Sequence, residues 1–394
     1  MLVRVCLDNR LIKRGEYFVP IKGENFDGHD FINAALKAGA AGILEENDLY
    51  KLAQRKLNEV KPVIVGVAGS VGKSTARAYL TQILSVKKKV LEGDLNTKLG
   101  LSVNIVNNLI DQDVFVAELG IDRVGEMKMV TDFLKPDFVM ITKLEKEHLQ
   151  FLGDLKTVVN ENLVAVANSK SKLGFVNLAD ENQIGKIDEE LIYYCRGDLE
   201  DKLKDLRLPA HDEDYLAGIY KIAKDQFDFT DKEFSKALKN LKKPKGRLNL
   251  IEGVDGCLIV DDSYNAVCDE SVIRGVKYAV GLASQQGRTL LVLLSPMRET
   301  GESEEEQHRK VAEFLNNVDC ELVLVGDDRD LYGKYLNREF KNIDNADSFK
   351  EKPCREVVYV KGSQFYRMEK IVYKLMKDKD KASELLVRQD NRWK

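Results

Sequence analysis

The sequence predicts an α/β protein in three domains, and three observations carry that reading. Apolar, β-branched stretches of strand length alternate with helical stretches from Lys61 onward, the pattern of a mainly parallel sheet covered on both faces. A polar connection, Leu241-Lys242-Lys243-Pro244-Lys245-Gly246-Arg247, interrupts the alternation, which then resumes. One apolar run, Pro62 to Ala68, leads directly into Gly69-Ser70-Val71-Gly72-Lys73-Ser74-Thr75 and a helical pattern, in the order strand, glycine loop, helix. We therefore expect a small α/β domain over 1–60, a central parallel-sheet domain over 61–243 and a C-terminal α/β domain over 244–394.

The first 60 residues read as a short strand–turn–helix unit punctuated by Gly15, Gly23, Gly28 and Gly39. In the central region, strands are expected at 63–68, 114–119, 138–142 and 173–177, with helices at 75–86, 125–134 and 155–167. The stretch 185–214 carries no clear period. Beyond the polar connection, strands are expected at 257–261, 289–294, 321–325 and 357–360, and helices begin near Asp269, Ser303 and Gln364. The highly charged segment 377–394 is expected as a solvated terminal helix.

A chain of 394 residues has room for two or three domains with ample core, and a hydrophobic fraction of 44% marks it as globular. A net charge of −4 argues against nucleic-acid and membrane-surface partners. The six cysteines lack any C-x-x-C pair, so reduced thiols are expected rather than disulfides or zinc. No apolar run approaches the roughly 18 residues of a spanning helix, and Met1 opens without a signal-peptide pattern. The expectation is a cytoplasmic monomer.

The glycine loop carries the most chemistry. Amides of Gly69, Ser70, Val71 and Gly72 can wrap a phosphate without side-chain obstruction, and the following helix N-terminus adds partial positive charge. Lys73 would reach β/γ-phosphates, and the Ser74 hydroxyl, helped by Thr75, would ligate Mg²⁺. Strict nucleotide-loop spacing asks for glycine at 67, which is Val67, so the pattern is a shortened one. The alternative is a glycine-rich turn capping an ordinary helix. Glu118 ends an apolar strand at the edge where open α/β sheets place ligands, and His148 follows the next strand end. Together they suit a second Mg²⁺; separately they read as an edge carboxylate in a salt bridge and a surface loop histidine. Asp262 and Asn265 follow another strand, and Arg247 lies in the polar connection. A capping Asp and a linker Arg would explain them equally.

Several strings align with one family. They include Asp8-Asn9-Arg10, the stretch Phe18 to Phe31, the glycine loop, Asn96-Thr97-Lys98-Leu99-Gly100, Glu118-Leu119-Gly120 and His148-Leu149. Gly246-Arg247-Leu248, Asp261-Asp262-Ser263-Tyr264-Asn265-Ala266, Met297 through His308 and Lys361-Gly362-Ser363 with Arg367-Met368-Glu369 follow. The chain resembles the Mur ligases, ATP-dependent amide-forming enzymes of bacterial cell-wall synthesis, nearly end to end. Within them it is most similar to the branch that adds D-alanyl-D-alanine to a UDP-N-acetylmuramoyl-tripeptide. The resemblance implies a substrate-binding N-terminal domain, a central P-loop ATPase domain and a Rossmann-like C-terminal domain, with ATP and Mg²⁺ as cofactors. It implies that Glu118 and His148 hold metal and that Asp262 and Asn265 hold the ribose and adenine. Arg247 would swing toward the γ-phosphate, and Lys361 would lie near the acceptor, as would Asn96 and Thr97 near the substrate. Arg10, Lys22 and His29 would meet the nucleotide-sugar end.

The chain also departs from the family pattern. The first domain begins abruptly at Asp8-Asn9-Arg10. Lys143 stands where the family usually has Asn, and Ser295-Pro296-Met297 replaces G-D-M. Val267 and Cys268 replace Asn-Pro. Asn162 stands where related members carry a lysine that is carbamylated to ligate metal, and an amide cannot be carbamylated that way. The reading is an ATP-dependent ligase acting through an acyl phosphate. Its rivals are a ligase of the same superfamily using another carboxylate, such as a polyglutamate or an unusual wall peptide, and a catalytically silent member.

Overall fold

The computed structural model describes residues 3–23, 26–93, 95–145, 149–178, 180, 190–199, 208–298, 300–350 and 353–389. The chain forms two compact units, one of residues 1–145 with 159–241, the other of 146–158 with 242–394. Three sheets are distributed over them, where the sequence suggested three domains. Leu241 ends the first unit and Lys242 opens the last segment of the second, within the polar connection.

The first 60 residues carry their own small parallel sheet of two-residue strands, β1 (Val5–Cys6), β2 (Tyr17–Phe18) and β3 (Gly42–Ile43), with helices α1 (Ile32–Lys37) and α2 (Glu46–Val60). So little strand cannot bury a core alone. It leans instead on the central region. The Lys56 ammonium donates to the carbonyls of Val106 (2.8 Å) and Leu109 (3.0 Å), and the Asn107 amide pairs with both backbone groups of Val5. These tie the segment into the first unit.

The large sheet of that unit is built from β4 (Val63–Ala68), β5 (Val90–Gly93), β6 (Val114–Glu118), β7 (Phe138–Ile141), β8 (Leu173–Asn177) and β9 (Glu190–Tyr194). All pair in parallel, in the order β5-β6-β4-β7-β8-β9. Both faces are covered, so the strands are buried almost throughout, as the unbroken apolar runs require. Helices α3 (Lys73–Leu84), α4 (Lys98–Asn108), α5 (Glu126–Leu134), α7 (Leu155–Ala167) and α8 (Ala210–Phe227) follow, while α6 (Leu149–Leu152) belongs to the second unit. Tyr79, Leu80 and Ile83 of α3 and Leu216, Ile219 and Ala223 of α8 share one core. From central β4 the chain steps to one side of the sheet, then returns to the other through β6 and β7. The carboxyl ends of β4, β6 and β7 thus flank a topological switch point, where open α/β sheets bind ligands.

The second unit holds a six-stranded sheet ordered β10 (Asn249–Glu252), β11 (Leu258–Asp262), β15 (Val357–Lys361), β12 (Leu290–Leu294), β13 (Glu321–Val325) and β14 (Lys341–Ile343). Only β10 runs antiparallel, at the edge. The helix Asp269–Gln286 covers one face and Glu369–Leu375 the other. The expected solvated terminal helix is corrected. The helical part is a 3-10 turn, Lys379–Lys381, and one α-turn, Ala382–Leu385, after which Leu386 is buried among Ile371, Val372 and Leu375; residues 390–394 lie outside the described residues. An apolar Leu inside the charged run anchors it. All six cysteines are free thiols, and no described helix is long and apolar enough to cross a membrane.

One buried group sets a pH dependence. Asp261 is fully buried on β11; its Oδ1 accepts from the Ser263 amide at 3.1 Å, while Oδ2 has no partner. Burial pushes its carboxyl up to about 7. A raised carboxyl favours the protonated folded form, so its contribution is full below the unfolded value near 4 and is lost as pH rises toward 7. Asp261→Asn should remove this fall. The variant is expected to be more stable than wild type at pH 8, by on the order of a few kcal/mol, and to differ less at pH 4. Paired chemical melts at the two pH values measure it.

Candidate active site

The loop after β4 is shaped by two glycines. Gly69 has φ +126° and Gly72 φ +89°, conformations that side chains disfavour. Space forbids side chains as well. A Cβ on Gly69 would lie 2.2 Å from Thr142 Oγ1, and one on Gly72 would lie 2.1 Å from the Tyr215 hydroxyl.

The loop is clamped to its surroundings. The Asn162 side-chain carbonyl accepts from the Gly69 amide at 2.8 Å. The Lys143 carbonyl accepts from the amides of Ser70 (2.8 Å) and Val71 (3.2 Å), and Ser70 Oγ donates to the Glu145 carbonyl at 2.8 Å. This corrects the expectation that amides from Gly69 onward wrap an anion, because the first three point into the protein. The first-turn amides of α3, such as Ser74 and Thr75, are donors that a helix cannot satisfy from within. The Lys73 ammonium curls back onto the carbonyls of Gly69 (2.5 Å) and Ser70 (3.1 Å), which puts its charge over the loop.

Next to the loop, Ser74 Oγ donates to Glu118 Oε1 at 3.2 Å, so β6 and α3 bring the two expected metal donors together. The other carboxylate oxygen accepts from Arg77 at 3.0 Å, and Arg77 also donates to Glu92 Oε1 (3.0 Å) and the Gly93 carbonyl (3.1 Å). Sequence reasoning missed Arg77, although its spacing carried the signal: three residues after Ser74 and four after Lys73 on one helix face. Asn96 accepts from the Gly120 amide through its carbonyl at 3.2 Å, beside the end of β6. Thr97 caps α4, its hydroxyl accepting from the Gly100 amide at 3.2 Å. His148 lies outside the described residues.

Asn162 is fully buried and acts as a loop clamp. A neutral amide suits that task, since its carbonyl accepts a backbone N–H without burying a charge. We expect turnover to be insensitive to bicarbonate and to need high Mg²⁺; a several-fold rescue by bicarbonate in CO₂-depleted buffer would contradict this. Asn162→Ala leaves the Gly69 amide buried without its acceptor and should cost about 1–3 kcal/mol, read by thermal melt.

The N-terminal trio does not form one cluster of free cations. Arg10 is tied to Asp8 by two bonds of 2.9 and 2.7 Å. His29 Nδ1 lies 2.6 Å from Asp27 Oδ1, and that hydrogen bond raises the imidazole pKa. Lys22 is exposed and bridges to Asp27 through the backbone.

In the second unit, Asp262, Asn265 and Lys361 do come together. The buried Lys361 ammonium donates to Asp262 Oδ2 (2.8 Å) and the Asn265 carbonyl (3.0 Å), and the Tyr359 hydroxyl also donates to Asp262 Oδ2 at 3.0 Å. The Lys361 ammonium is thus paired with Asp262 and helps to shape the loop after β11. The Arg247 guanidinium stacks 4.1 Å from the Tyr264 ring centroid, with a buried Nε that lacks a partner. Arg388 donates to the Ser263 carbonyl at 3.1 Å and to Glu369 at 3.0 Å, holding the same loop from the chain's end.

A glycine loop, lysine and hydroxyl at the switch point of a parallel sheet define a P-loop nucleotide-binding protein. The family profile of the Mur ligase middle domain matches residues 67–228, and that of the Mur ligase family catalytic domain matches 3–77. Together they span more than half of the chain. The chain belongs to the Mur ligase family and is a ligase. It is 24% identical to the UDP-N-acetylmuramoyl-tripeptide–D-alanyl-D-alanine ligase of Bacillus subtilis (strain 168), over 79% of this chain and 77% of that protein. The enzyme of that name from Rickettsia prowazekii (strain Madrid E) is also 24% identical, over 93% and 94%. Among solved structures, the MurF ligase of Thermotoga maritima in complex with ADP shares the fold with a TM-score of 0.77 at 22% identity, covering 94% of this chain and 96% of that one.

Proposed function

We propose that this chain joins the amine of D-alanyl-D-alanine to the terminal carboxylate of a UDP-N-acetylmuramoyl-tripeptide, at the expense of ATP, in peptidoglycan precursor synthesis. The observation that supports it most is the P-loop with Ser74 and Glu118 at the switch point, in a chain whose near-full-length relatives are named for this reaction. In the first step a carboxylate oxygen attacks the γ-phosphorus and ADP leaves, giving an acyl phosphate. The amine nitrogen then attacks the acyl carbon, phosphate leaves, and the nitrogen loses a proton.

Lys73 supplies positive charge to the transferred phosphoryl group, and the start of α3 holds the adjoining phosphate. Ser74 and Glu118 offer two hard oxygens side by side, a donor set that fits Mg²⁺. When bound, Mg²⁺ neutralises charge on the phosphate oxygens. Among the described residues no group of three His, Cys, Asp or Glu could hold a metal, and His148, assigned as a further ligand, lies outside them. Asp262 and Asn265 are assigned to ribose and base, and the unpartnered Nε of Arg247 suits an anionic oxygen. Asn96 and Thr97, with Arg10, Lys22 and His29, are assigned to the muramoyl substrate. The protein works as a cytoplasmic monomer on small molecules.

ADP release measured across a panel of carboxylates and amines tests the substrate. Release should require both the muramoyl-tripeptide and the dipeptide. Release with a polyglutamate and none with the muramoyl-tripeptide would select the rival ligase.

A further inference from the structure

Arg77 is a charged side chain at the site that the reaction outlined above does not use. It projects from the second turn of α3 and is 13% exposed at its side chain. Its guanidinium spans two carboxylates, Glu118 at the end of β6 and Glu92 on β5, each at 3.0 Å. In register, Glu92 pairs with Val116, two residues before Glu118. Residues two apart on a strand share a face, so both carboxylates lie on the side that α3 covers. Without Arg77 they would form an acidic pair beside the Ser74 hydroxyl, an inviting site for a divalent cation. With it, the pair is bridged and one negative charge is neutralised.

We propose that Arg77 is a positioning residue that holds the Glu118 carboxylate beside Ser74 and keeps a divalent cation from settling there until a nucleotide brings one. This rests on the nucleotide reading of the loop. Two consequences follow from the geometry. The fork fixes the carboxylate by one oxygen and leaves the other at Ser74, so the two metal donors are pre-arranged. The guanidinium charge also repels a bare cation. Phosphate oxygens overcome that repulsion, because they add negative charge that Glu118 alone does not supply. A unit charge at about 5 Å in a half-buried site is worth roughly tenfold or more in affinity.

The test is Mn²⁺ binding, read by the loss of its free electron-paramagnetic-resonance signal, with the full chain and no nucleotide. Arg77→Gln should bind Mn²⁺ at least about tenfold more tightly than wild type, whereas Arg77→Lys, which keeps the charge, should stay within about threefold. The gain should vanish in the Arg77→Gln, Glu118→Gln double variant. With ADP present, the surface change Glu92→Gln should weaken Mn²⁺ binding by about threefold, since it leaves the Arg77 charge less compensated; this arm holds even if Arg77→Gln does not fold. A folded Arg77→Gln whose Mn²⁺ affinity is unchanged or lower overturns the proposal, as does an unchanged Glu92→Gln. Mn²⁺ binding without substrates speaks to Arg77 alone, while ADP release with muramoyl substrates speaks to the function, so the two failures are distinguishable.

Discussion

Replacing Lys73 with alanine should abolish ADP formation, lowering turnover by roughly a thousandfold, while leaving the protein folded. The two effects separate because the side chain does different things in each state. In the structure the ammonium bonds carbonyls of its own loop, Gly69 and Ser70, which water can replace. The stability cost is expected to be about 1 kcal/mol, the net value of such a bond. In the reaction the same charge would face the phosphoryl group as charge develops on it. A coupled ADP assay beside a thermal melt measures both. A folded Lys73→Ala protein with near-native turnover would remove the loop from the mechanism.

Gly72→Ala should be strongly damaging. Gly72 sits at φ +89° as the N-cap of α3, which costs an alanine about 1 kcal/mol or more. The added carbon would also lie 2.1 Å from the hydroxyl of Tyr215, whose ring is buried in the core shared by α3 and α8. Displacing a packed ring adds about 1–3 kcal/mol. We expect a loss of about 2–4 kcal/mol, a melting temperature lower by roughly 5–15 °C, and little remaining ADP binding. Gly125, by contrast, has φ +89° but open space around its Cβ position, so Gly125→Ala separates backbone strain from steric clash. Equal losses in the two variants would contradict the role given to Tyr215.

The parts of the fold that were legible in the sequence are those governed by local pattern. Strand 63–68, strand 173–177 and helix 155–167 fall at the observed limits because apolar runs and caps mark them. Strand β5, only four residues long and alternating in burial, and edge strands β10 and β14 carry too little periodic signal to stand out. Helix α8 is different. Its spacing of Leu216, Ile219, Ala223 and Phe227 is a clear apolar stripe, but it adjoins the stretch 185–214, where no period is visible.

The site divides along the same line. The loop, Lys73, Ser74 and Glu118 could be named in advance because strand ends and helix starts locate them. The clamp on the loop could not. Asn162 reaches Gly69 across 93 positions, and Tyr215 reaches Val71 across 144. Such partners are set by tertiary packing, which period and spacing do not encode. Lys361 shows the converse. The family resemblance places it near the acceptor, whereas its pairing with Asp262, which Tyr359 also contacts, is visible only in the fold.

The reaction proposed for this chain is a ligation. The most direct measurement is mass detection of the product formed when the full chain is incubated with ATP, Mg²⁺, UDP-N-acetylmuramoyl-tripeptide and D-alanyl-D-alanine. One new species is expected, its mass the sum of the two substrates less one water, formed in step with ADP and absent with Lys73→Ala. ADP release without that species, or no product from folded protein at saturating substrates, would contradict it.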